Sequence, residues 1–389
     1  MNNKPVYLIG AGIVKYGKWK HMTSREAALI AGKLAIESAG ISPKDIEAGY
    51  VTNVFGFAEN QAHFGPVVAT GLGIKDVPMT TVENACASGS VAIREAYLNV
   101  ASGHYDVVIA VGAERMNAVD TITANTYMSY GSDYVVEGGS GATFIGLYAS
   151  MMTRYMHEYN APREAFAKVA VKNHNNALHN PAAMFHKKIT VDDVLNSPVI
   201  AWPIRLYDCS PITDGAAAVI IASEDFVKKA GIDERIRILA SVKAGGTSAL
   251  QDREHLPTIR AARIAAEKAF KMAHLDRKDI DFAEVHDCFT IAEIVAIEDI
   301  GFYKKGEGWK AVMEGETEIG GKLPINPSGG LKAKGHPVGA TGIGMAEEVF
   351  EQLLGEAGKR QVEGAEIALT HNVGATGGTV VVNIYKRER

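Results

Sequence analysis

The chain has 389 residues and a formal net charge of −5, and 47% of its residues are hydrophobic while 22% are charged. This composition is typical of a globular protein with room for more than one domain, and without a basic tract it gives no reason to expect nucleic-acid binding. No apolar run reaches the about 18 residues of a membrane span, the N-terminus lacks a signal-peptide pattern, and the three cysteines fit a reducing compartment, so we expect a cytoplasmic protein.

The first hundred or so residues alternate between strand-like and helical patterns. "PVYLIGAGIV" predicts a strand, and "SREAALIAGKLAIESAG" predicts a helix with Ser24 as its N-cap and Gly40 as its stop. "EAGYVTNVFG" predicts a second strand. The stretch from "VPMTTVENACASGS" to "YDVVIAVGAERM" predicts a strand, a tight turn, a helix and a strand. This rhythm indicates a mostly parallel sheet covered by helices.

The clearest feature of the organisation is an internal repeat. With a shift of 234 residues, "AALIAGKLAIESAGISPKDIEAGYV" (27–51) aligns with "AARIAAEKAFKMAHLDRKDIDFAEV" (261–285) without a gap, and ten of 25 positions are identical. Both copies predict a helix, a "KDI" exit and a strand. The chain therefore contains two related halves.

Each half carries a distinctive turn beyond its repeated strand. The first half continues to "ENACASGS" and the second to "AKGHPVGATG". In both, a glycine follows the key residue by three positions, Gly89 after Cys86 and Gly339 after His336. Two similar halves that face each other would bring equivalent turns together. We therefore expect Cys86 and His336 to meet at one site.

A segment between the halves does not fit the repeat. Residues 117–208 contain the helical patterns "GLYASMMTRYMHEYN" and "PREAFAKVAVKNHNNALHN", and "SPITDGAAAVIIAS" then resumes the sheet. We predict an N-terminal half at 1–116 plus 209–235, an inserted loop domain at 117–208 and a C-terminal half at 236–389.

Cys86 has the surroundings expected of a nucleophile. It follows a strand and precedes a helix, and the small residues of "NACASG" allow a substrate to approach its sulfur. The positive end of that helix is expected to lower the pKa of the thiol toward the thiolate. The alternative from sequence alone is a small buried hydrophobe, as most free cysteines are.

The stretch "AEVHDCFT" places His286, Asp287 and Cys288 side by side after an apolar run. It is compatible with a metal site, a redox site, an acid/base group or a buried strand end. We expect no metal, because no CxxC and no second Cys/His pair occur at ligand spacing. "GAGIVKYG" lacks the third glycine of a dinucleotide loop, and "GLKAKG" lacks the GK[ST] ending of a P-loop. Cys209 is assigned no role.

The motifs together match one known family. "ENACASG", "NPSGG" followed by "GHPVGATG", and "HNVGATGG" resemble the thiolase superfamily, and "HDCF" resembles its branch of sterol-carrier-protein-2-like enzymes and archaeal-type acetyl-CoA acetyltransferases. The resemblance covers essentially the whole chain. It implies an α/β protein with the thiolase fold, in which duplicated βαβ halves form five αβαβα layers with an inserted loop domain. It also implies coenzyme A thioester chemistry.

The resemblance assigns roles to residues of both turns. Cys86 matches the acyl-accepting nucleophile of the family. His336, in "GHP", matches the histidine that activates this thiol and helps to bind the thioester oxygen. Val373 and Gly374, in "HNVGATGG", match the backbone oxyanion site.

The chain departs from most thiolases at the second acid/base. That group is usually a cysteine in a C-terminal C-x-G motif, and His371 occupies the matching position here. In the "HDCF" branch, Cys288 replaces the missing cysteine. His286 then takes the place of an asparagine that orients a water of the oxyanion hole. The role of His371 itself stays open.

The implied reaction is the coenzyme A-dependent cleavage of a 3-oxoacyl-CoA to an acyl-CoA plus a shortened acyl-CoA, or the reverse Claisen condensation. It is a ping-pong reaction through acyl-Cys86, with coenzyme A as co-substrate and no tightly bound cofactor. A soft thiol suits attack on the ketone, oxyanion donors contribute about 3–4 kcal/mol each, and an acid of near-neutral pKa must protonate the enolate. Cys288 beside a histidine is expected to be tuned to that range.

Partners and alternatives also follow from the resemblance. It implies acyl-CoA substrates, at least a homodimer, and a small zinc-ribbon/OB-fold partner that helps to hold coenzyme A. Acetoacetyl-CoA is the default substrate, but the Met and aromatic residues of 117–208 leave open a bulky or aromatic 3-oxoacyl-CoA, such as a benzoylsuccinyl-CoA-like one. Decarboxylative condensation, retro-aldol cleavage and non-catalytic binding of acyl-CoA or lipid are the remaining alternatives. The intact set of Cys86, Cys288 and His336 argues against them.

Overall fold

Helices and strands alternate along the computed structural model, which describes residues 4–233 and 235–388. The N-terminal part contains β1 (Val6–Gly17), α1 (Ser24–Ser38), β2 (Ala48–Thr52), α2 (Phe64–Leu72), β3 (Met79–Thr81), α3 (Ser88–Ala101) and β4 (Val107–Arg115). The middle part contains α4 (Thr121–Ser129), α5 (Phe144–Tyr159), α6 (Arg163–Ala177), α7 (Val191–Asn196), β5 (Val199–Ala201), β6 (Ile204–Arg205), β7 (Asp214–Ser223) and α8 (Glu224–Ala230). The C-terminal part contains β8 (Arg235–Gly245), α9 (Arg260–Ala273), β9 (Phe282–Val285), α10 (Thr290–Asp299), α11 (Gly308–Met313), α12 (Thr341–Leu354), β10 (Ile367–Gly374) and β11 (Thr379–Glu388).

Nine strands form a sheet in the order β3-β2-β4-β7-β1-β8-β11-β10-β9. The prediction of a mostly parallel sheet is wrong. Within the described residues, the pairs β2 with β3, β2 with β4 and β9 with β10 are parallel, and the other neighbouring pairs are antiparallel. The reason is that each half ends with a strand that returns beside the one before it: β7 beside β4, and β11 beside β10.

The two halves have mirrored strand orders and meet where β1 pairs with β8. The repeat predicted from the sequence is confirmed in the elements. A helix, a short 3₁₀ turn and a strand occur at α1, Pro43–Asp45 and β2, and again at α9, Arg277–Asp279 and β9. The counterpart of β3 is reduced to one parallel bridge, Ala283 with Ile325. The loop that carries His336 starts from this bridge.

Alternation along the strands separates the layers. On β4, Val107, Ile109 and Val111 pack against α1 and α2 on the outer side, whereas Val108 and Ala110 pack with α3 and α12. On the C-terminal side, Ala368 faces the same middle helices and Leu369 faces α9. Successive side chains of a strand point to opposite faces, so each half of the sheet is covered on both sides. This gives the five αβαβα layers that the resemblance implied.

The two middle helices, α3 and α12, touch backbone to backbone where they begin. A Cβ atom on Gly89 would lie 2.8 Å from the carbonyl oxygen of Gly339 and 2.9 Å from the amide nitrogen of Ile343. A Cβ on Gly342 would overlap the amide nitrogen of Ser90. Glycine is therefore required at this crossing, and the crossing fixes the starts of both helices relative to each other.

The ends of α1 confirm one predicted signal and correct another. Gly40 has a φ of 65° directly after the C-cap, as the stop signal predicted. The N-cap is Thr23 and not Ser24. Thr23 and Glu26 form a reciprocal capping box, whereas Ser24 is buried inside the helix. In "TSREAA" two candidate caps are adjacent, and the glutamate three positions later selects the first.

The segment 117–208 packs mainly on the C-terminal half. Tyr148, Met151, Met152 and Tyr155 of α5 are buried in the same core as α9 and α10. The helical periodicity of these residues therefore reflects packing. We propose the domain division 1–116 plus 209–235, 117–208 and 236–389; its outermost limits, residues 1 and 389, lie outside the described residues. Among the described residues, no helix is long and apolar enough to cross a membrane.

The helix crossing generates a stability prediction. Gly342→Ala is expected to lower the free energy of unfolding by about 1–3 kcal/mol, because the new methyl group forces the middle helices apart. The matched control is Gly146→Ala, in the first turn of α5, where a Cβ would meet only the Thr143 hydroxyl oxygen at 3.6 Å. Urea unfolding followed by circular dichroism measures both. Equal midpoints for the two variants would contradict the crossing as a constraint.

Candidate active site

Cys86 lies in the short turn between β3 and α3. The preceding residue, Ala85, has a φ of 48°, which is a strained conformation for a residue other than glycine. The turn is held by two side chains. Glu83 accepts a hydrogen bond from the Ala85 amide at 2.6 Å, and the Ser88 hydroxyl donates to the Ala85 carbonyl at 2.6 Å. The strain at Ala85, the residue before the cysteine, is therefore held by local hydrogen bonds.

His336 follows a π-helical turn, Gly330–Lys334, and precedes α12. Its Nδ1 lies 2.7 Å from the Thr341 hydroxyl oxygen, and that hydroxyl lies 3.0 Å from the carbonyl oxygen of Pro337. A hydroxyl has one proton to donate. If it donates to Pro337, it accepts from Nδ1–H of His336, so the Nε2 atom of the imidazole is left as a proton acceptor.

Asp287 points away from this centre. Its carboxylate accepts hydrogen bonds from the Leu331 amide at 2.6 Å and the Lys332 amide at 3.2 Å. It also accepts from the Asn173 side chain at 2.7 Å. Asp287 therefore ties the "HDCF" segment to the loop before His336, and its neighbours His286 and Cys288 project to the other side.

His286 is oriented by a residue of β10. The Asn372 side-chain nitrogen donates to Nδ1 of His286 at 3.1 Å. With Nδ1 as acceptor, Nε2 carries the proton of the neutral ring. Within the described residues, His286 Nε2 has no hydrogen-bond partner although His286 is 1% exposed. A buried donor without a partner is rare, and this one is available to an oxygen of a ligand.

The residues predicted from the two halves converge. One ligand-capable atom from each of Cys86, His286 and His336 lies within 4.8 Å of the others. The two imidazole rings are perpendicular, with their centroids 5.2 Å apart. Cys288 lines the same cavity as these three residues. The Tyr148 ring packs at a tilt of 33° on Phe289, with ring centroids 4.7 Å apart, and its hydroxyl donates a hydrogen bond to the Ala375 carbonyl at 3.2 Å.

The site opens into a cavity of about 420 Å³. The lining groups are mostly apolar, and those from the segment 117–208 include Met128, Phe144, Ile145, Ile200 and Leu206. A second cavity of about 550 Å³ shares Cys86, Met128, Phe144 and Ala375 with the first. A larger cleft, of about 1030 Å³ beside Arg253 and α9, contains none of the predicted site residues. The convergence of the predicted catalytic side chains, and not the volume of a cavity, therefore identifies the site.

Burial changes the proton affinity of Cys86. It raises the pKa of the thiol to about 12, outweighing the amides of Ala375 and of Cys86 itself, which favour the thiolate. The expectation that the helix end lowers this pKa is wrong in its net direction. A helix end is worth at most about 2 kcal/mol, and removing a thiolate from water costs more at this site. Resting Cys86 is a neutral thiol.

The other groups are also neutral. Burial lowers the pKa of His336 to about 3, and burial together with His336 and His371 lowers the pKa of His286 well below its ordinary value. Burial and the nearby Cys86 raise the pKa of Cys288 well above its ordinary value, so the expected near-neutral tuning is not found. At neutral pH the site therefore holds two thiols and two uncharged imidazoles.

The end of β10 supplies the backbone of the site. The Val373 side chain is buried in the hydrophobic core that also contains residues of α5, α9 and α10. A Cβ on Gly374 would lie 2.6 Å from the carbonyl oxygen of Asn84. The glycine thus permits close approach to the Cys86 turn. The amide that contacts the Cys86 sulfur belongs to the next residue, Ala375, which has a φ of 56°.

His371 points to the opposite side of β10 from Asn372, by strand alternation. It is buried, its pKa is lowered to about 3 by burial, and neither ring nitrogen has a hydrogen-bond partner within the described residues. It is not among the residues that line the 420 Å³ cavity. Position 371 therefore does not present an acid to that cavity.

Tyr148 is one of the Met and aromatic residues of 117–208 that the sequence left open as pocket residues, and it lines the cavity. Sequence reasoning missed three residues of the site: Thr341, Asn372 and Ala375. The first two have a signal in the sequence, because Thr341 follows His336 by five positions and Asn372 lies within "HNVG". The left-handed conformation of Ala375 has none. Cys209, to which no role was assigned, also lines the cavity.

Comparison with known proteins identifies related chains. Residues 6–225 match the family model "Thiolase, N-terminal domain", and residues 243–387 match "Thiolase C-terminal domain-like". An acetyl-CoA acetyltransferase of Methanothermobacter thermautotrophicus is 49% identical over 99% of this chain and 100% of its own. The benzoylsuccinyl-CoA thiolase subunit BbsB of Thauera aromatica is 34% identical over 95% of both chains.

A solved structure has the same fold. The "Ltp2-ChsH2(DUF35) aldolase" superposes with a TM-score of 0.85 at 24% identity, covering 98% of both chains. At this identity the likeness establishes the fold only.

The neutral state of Cys86 generates a reactivity prediction. Its alkylation by iodoacetamide is expected to accelerate from about pH 6 to about pH 10 without levelling off, because a raised pKa keeps the thiolate fraction small throughout. The rate is measured by mass spectrometry of the Cys86 peptide. Glutathione, whose thiol is unburied, serves as the control and is expected to level off earlier. A plateau for Cys86 below about pH 8 would instead reveal a preformed thiolate–imidazolium pair.

Proposed function

The chain belongs to the thiolase family and is a coenzyme A-dependent acyltransferase, and we propose that it works through an acyl group carried on Cys86. The convergence of these groups carries the proposal: two thiols and two imidazoles from three separate segments meet at one apolar cavity. The overall reaction is cleavage of a 3-oxoacyl-CoA by coenzyme A, or the reverse condensation.

The first step forms the acyl-enzyme. Nε2 of His336 accepts the proton of the Cys86 thiol while the sulfur attacks the ketone carbon of the substrate. Because the resting thiol is neutral, charge separation occurs only as the sulfur–carbon bond forms. The backbone amides at the end of β10, from Val373 and Gly374 to Ala375, are the proposed oxyanion donors, each worth about 3–4 kcal/mol.

The carbon–carbon bond then breaks. Its electron pair passes to the thioester part of the substrate, which becomes an enolate. The unpartnered Nε2–H of His286 is placed to donate to the enolate oxygen, and the Cys288 thiol gives its proton to the enolate carbon. A raised pKa suits Cys288 to this step, since the thiol is fully protonated until the carbanion develops.

The second half-reaction restores the enzyme. Coenzyme A enters, its thiol proton passes to the Cys288 thiolate, and its sulfur attacks the acyl-Cys86 thioester. The Cys86 sulfur leaves and regains its proton from His336. The product is the shortened acyl-CoA, and every group returns to its starting protonation state.

The presence of Cys86 and Cys288 at one cavity favours this reaction over the alternatives. Decarboxylative condensation needs no second thiol, retro-aldol cleavage needs no acyl-accepting sulfur, and a binder of acyl-CoA or lipid needs neither an activated thiol nor a neutral base.

A second candidate function is thiolysis of a bulky or aromatic 3-oxoacyl-CoA. The volume and apolar lining of the cavity favour it, since an acetyl group fills only a small part of about 420 Å³. A relative at 34% identity is named for benzoylsuccinyl-CoA. Acetoacetyl-CoA is the first candidate substrate because the relative at 49% identity is an acetyl-CoA acetyltransferase.

The assembly is part of the proposal. A homodimer is supported by β3, which forms an open edge of the sheet with Thr80 and Thr81 exposed. A small zinc-ribbon/OB-fold partner is supported by a relative named as a subunit and by a neighbour named with ChsH2(DUF35). We also propose a cytoplasmic location, which suits three free thiols, and no tightly bound cofactor.

The acyl-enzyme generates the first functional prediction. Incubation with acetyl-CoA is expected to add one acetyl group, mapped to Cys86, that free coenzyme A removes. Cys86→Ala is expected to form no adduct. Cys288→Ser is expected to form the adduct. Its rate of thiolysis of acetoacetyl-CoA is expected to fall by about 10²- to 10⁴-fold, because the proton transfer to the enolate carbon fails.

Cys209→Ala is the matched control, since its thiol lines the same cavity; it is expected to retain the adduct on Cys86. Intact-mass and peptide mapping provide the readout. An acetyl group on Cys288 in place of Cys86, or full thiolysis by Cys288→Ser, would refute the assigned roles.

The cavity generates a prediction on substrate range. Met128→Trp is expected to lower kcat/KM for an aromatic 3-oxoacyl-CoA by about 10-fold or more, with a smaller effect on acetoacetyl-CoA, because a filled apolar pocket excludes the larger group. The control is Ile122→Trp on the same helix, where the side chain is 80% exposed. Equal losses for both substrates would show that Met128 does not line the acyl pocket.

A further inference from the structure

We propose that Cys86, His286 and His336 form a binding site for a thiophilic divalent cation of the Zn²⁺ class, which arrests the enzyme reversibly by occupying the acyl-accepting sulfur. The arrest rests on the proposed function, whereas the binding does not. The chain would then exist in two exclusive states at Cys86, metal-bound or acyl-bound.

The geometry of the three side chains suits a tetrahedral centre. Their ligand-capable atoms lie within 4.8 Å of one another. Zinc–sulfur bonds of about 2.3 Å and zinc–nitrogen bonds of about 2.0–2.1 Å require ligand atoms roughly 3.3–3.6 Å apart. Cys86 lines the cavity and is only partly buried, so its side chain is the ligand with the most room to move toward the two imidazoles. Cysteine sulfur and histidine nitrogen are both regular zinc ligands, and a catalytic-type zinc site has three protein ligands with the fourth position open.

The outer contacts of both histidines are those of metal ligands. Ligating histidines usually hydrogen-bond through the nitrogen that does not face the metal. Nδ1 of His336 is held by Thr341 and Nδ1 of His286 by Asn372, so both Nε2 atoms are left for a cation. Asn372 serves either tautomer of His286, since its Oδ1 has no partner within the described residues and would accept from Nδ1–H after the amide rotates.

Proton balance is simple at this site. Imidazole binds a metal ion in its neutral form, so a neutral ring loses no proton on binding. The Cys86 thiol gives up its proton to solvent as the metal–sulfur bond forms, and a bound cation deprotonates a thiol even when its pKa is raised. One proton is released for each cation bound.

Two acidic side chains lie near the bound centre. A divalent cation and one thiolate leave a net single positive charge in a buried place. Glu114 and Glu83 are the acidic groups that act on Cys86, and Glu114 is fixed by the amides of Val54, Phe55 and Gly339 at 2.6, 2.9 and 3.0 Å. Cys86, His286 and His336 all line the cavity of about 420 Å³, which leaves room for a fourth ligand such as water.

Sequence spacing could not reveal this site. The expectation of no metal came from the lack of a Cys/His pair at ligand spacing. The three ligands come from the turn before α3, the end of β9 and the turn before α12, and they approach only because the two halves face each other.

The test is a titration of untagged, reduced protein with Co²⁺, followed by absorption spectroscopy. Cobalt substitutes for zinc and gives a sulfur-to-metal charge-transfer band only when a thiolate is bound. The expected result is one equivalent of Co²⁺ per chain, with this band and the visible bands of a tetrahedral centre, and displacement of cobalt by Zn²⁺. Prior acetylation of Cys86 by acetyl-CoA is expected to abolish the band.

Variants separate this site from others. Cys86→Ala is expected to lose the charge-transfer band, and Cys209→Ala is expected to keep it. Thr341→Val is expected to weaken binding by about 10- to 100-fold, the usual cost of removing an outer contact. No band in the wild type, or a band that survives in Cys86→Ala, would overturn the proposal. The titrations of the wild type and the variants use protein that carries no acyl group. Cobalt binding can therefore fail while acetylation of Cys86 by acetyl-CoA succeeds, and acetylation can fail while cobalt binds.

Discussion

The close crossing of α3 and α12 is the constraint on which the active centre depends. Each helix begins immediately after one of the two key turns, so the position of Cys86 is set by the start of α3, and that of His336 by the start of α12. Gly89 and Gly342 bring the two starts into backbone contact. A larger side chain at either glycine would separate the turns, and the thiol would lose its base.

The same crossing keeps most of the centre out of water. His286, Cys288 and His336 are buried, and Cys86 is partly buried at the wall of the cavity. In such a place the neutral form of each group is favoured. Before the reaction, the two thiols are therefore protonated and the two imidazoles are uncharged. The carboxylates near the centre, Glu114 and Asp287, are occupied by backbone amides and serve as anchors of loops.

The sequence predicts much of this arrangement for a physical reason. A repeat of ten identities in 25 positions means a repeated helix–turn–strand unit, and two such units must bury their apolar faces against each other. From this alone, Cys86 and His336 are expected to meet.

The strand directions were mispredicted because the pattern of a buried strand is the same whichever way the chain runs. The net pKa direction of Cys86 was mispredicted because a helix end can be read from residues, whereas burial is a property of the whole fold. Ala375 was missed because an alanine in a sequence does not predict a positive φ.

The origin of each part of the site explains how chemistry and selectivity can vary separately. Cys86, His286, Cys288 and His336 all lie outside the segment 117–208. Much of the apolar wall that a substrate meets comes from inside it. Changes in that wall alter cavity shape without moving the sulfur relative to its base, because the helix crossing fixes both. A family built in this way can accept acyl groups of different size while it keeps one mechanism. The rigid geometry that positions the two imidazoles for proton transfer also positions them as ligands. The proposed binding of a thiophilic divalent cation therefore needs no side chain beyond those of the acid/base centre.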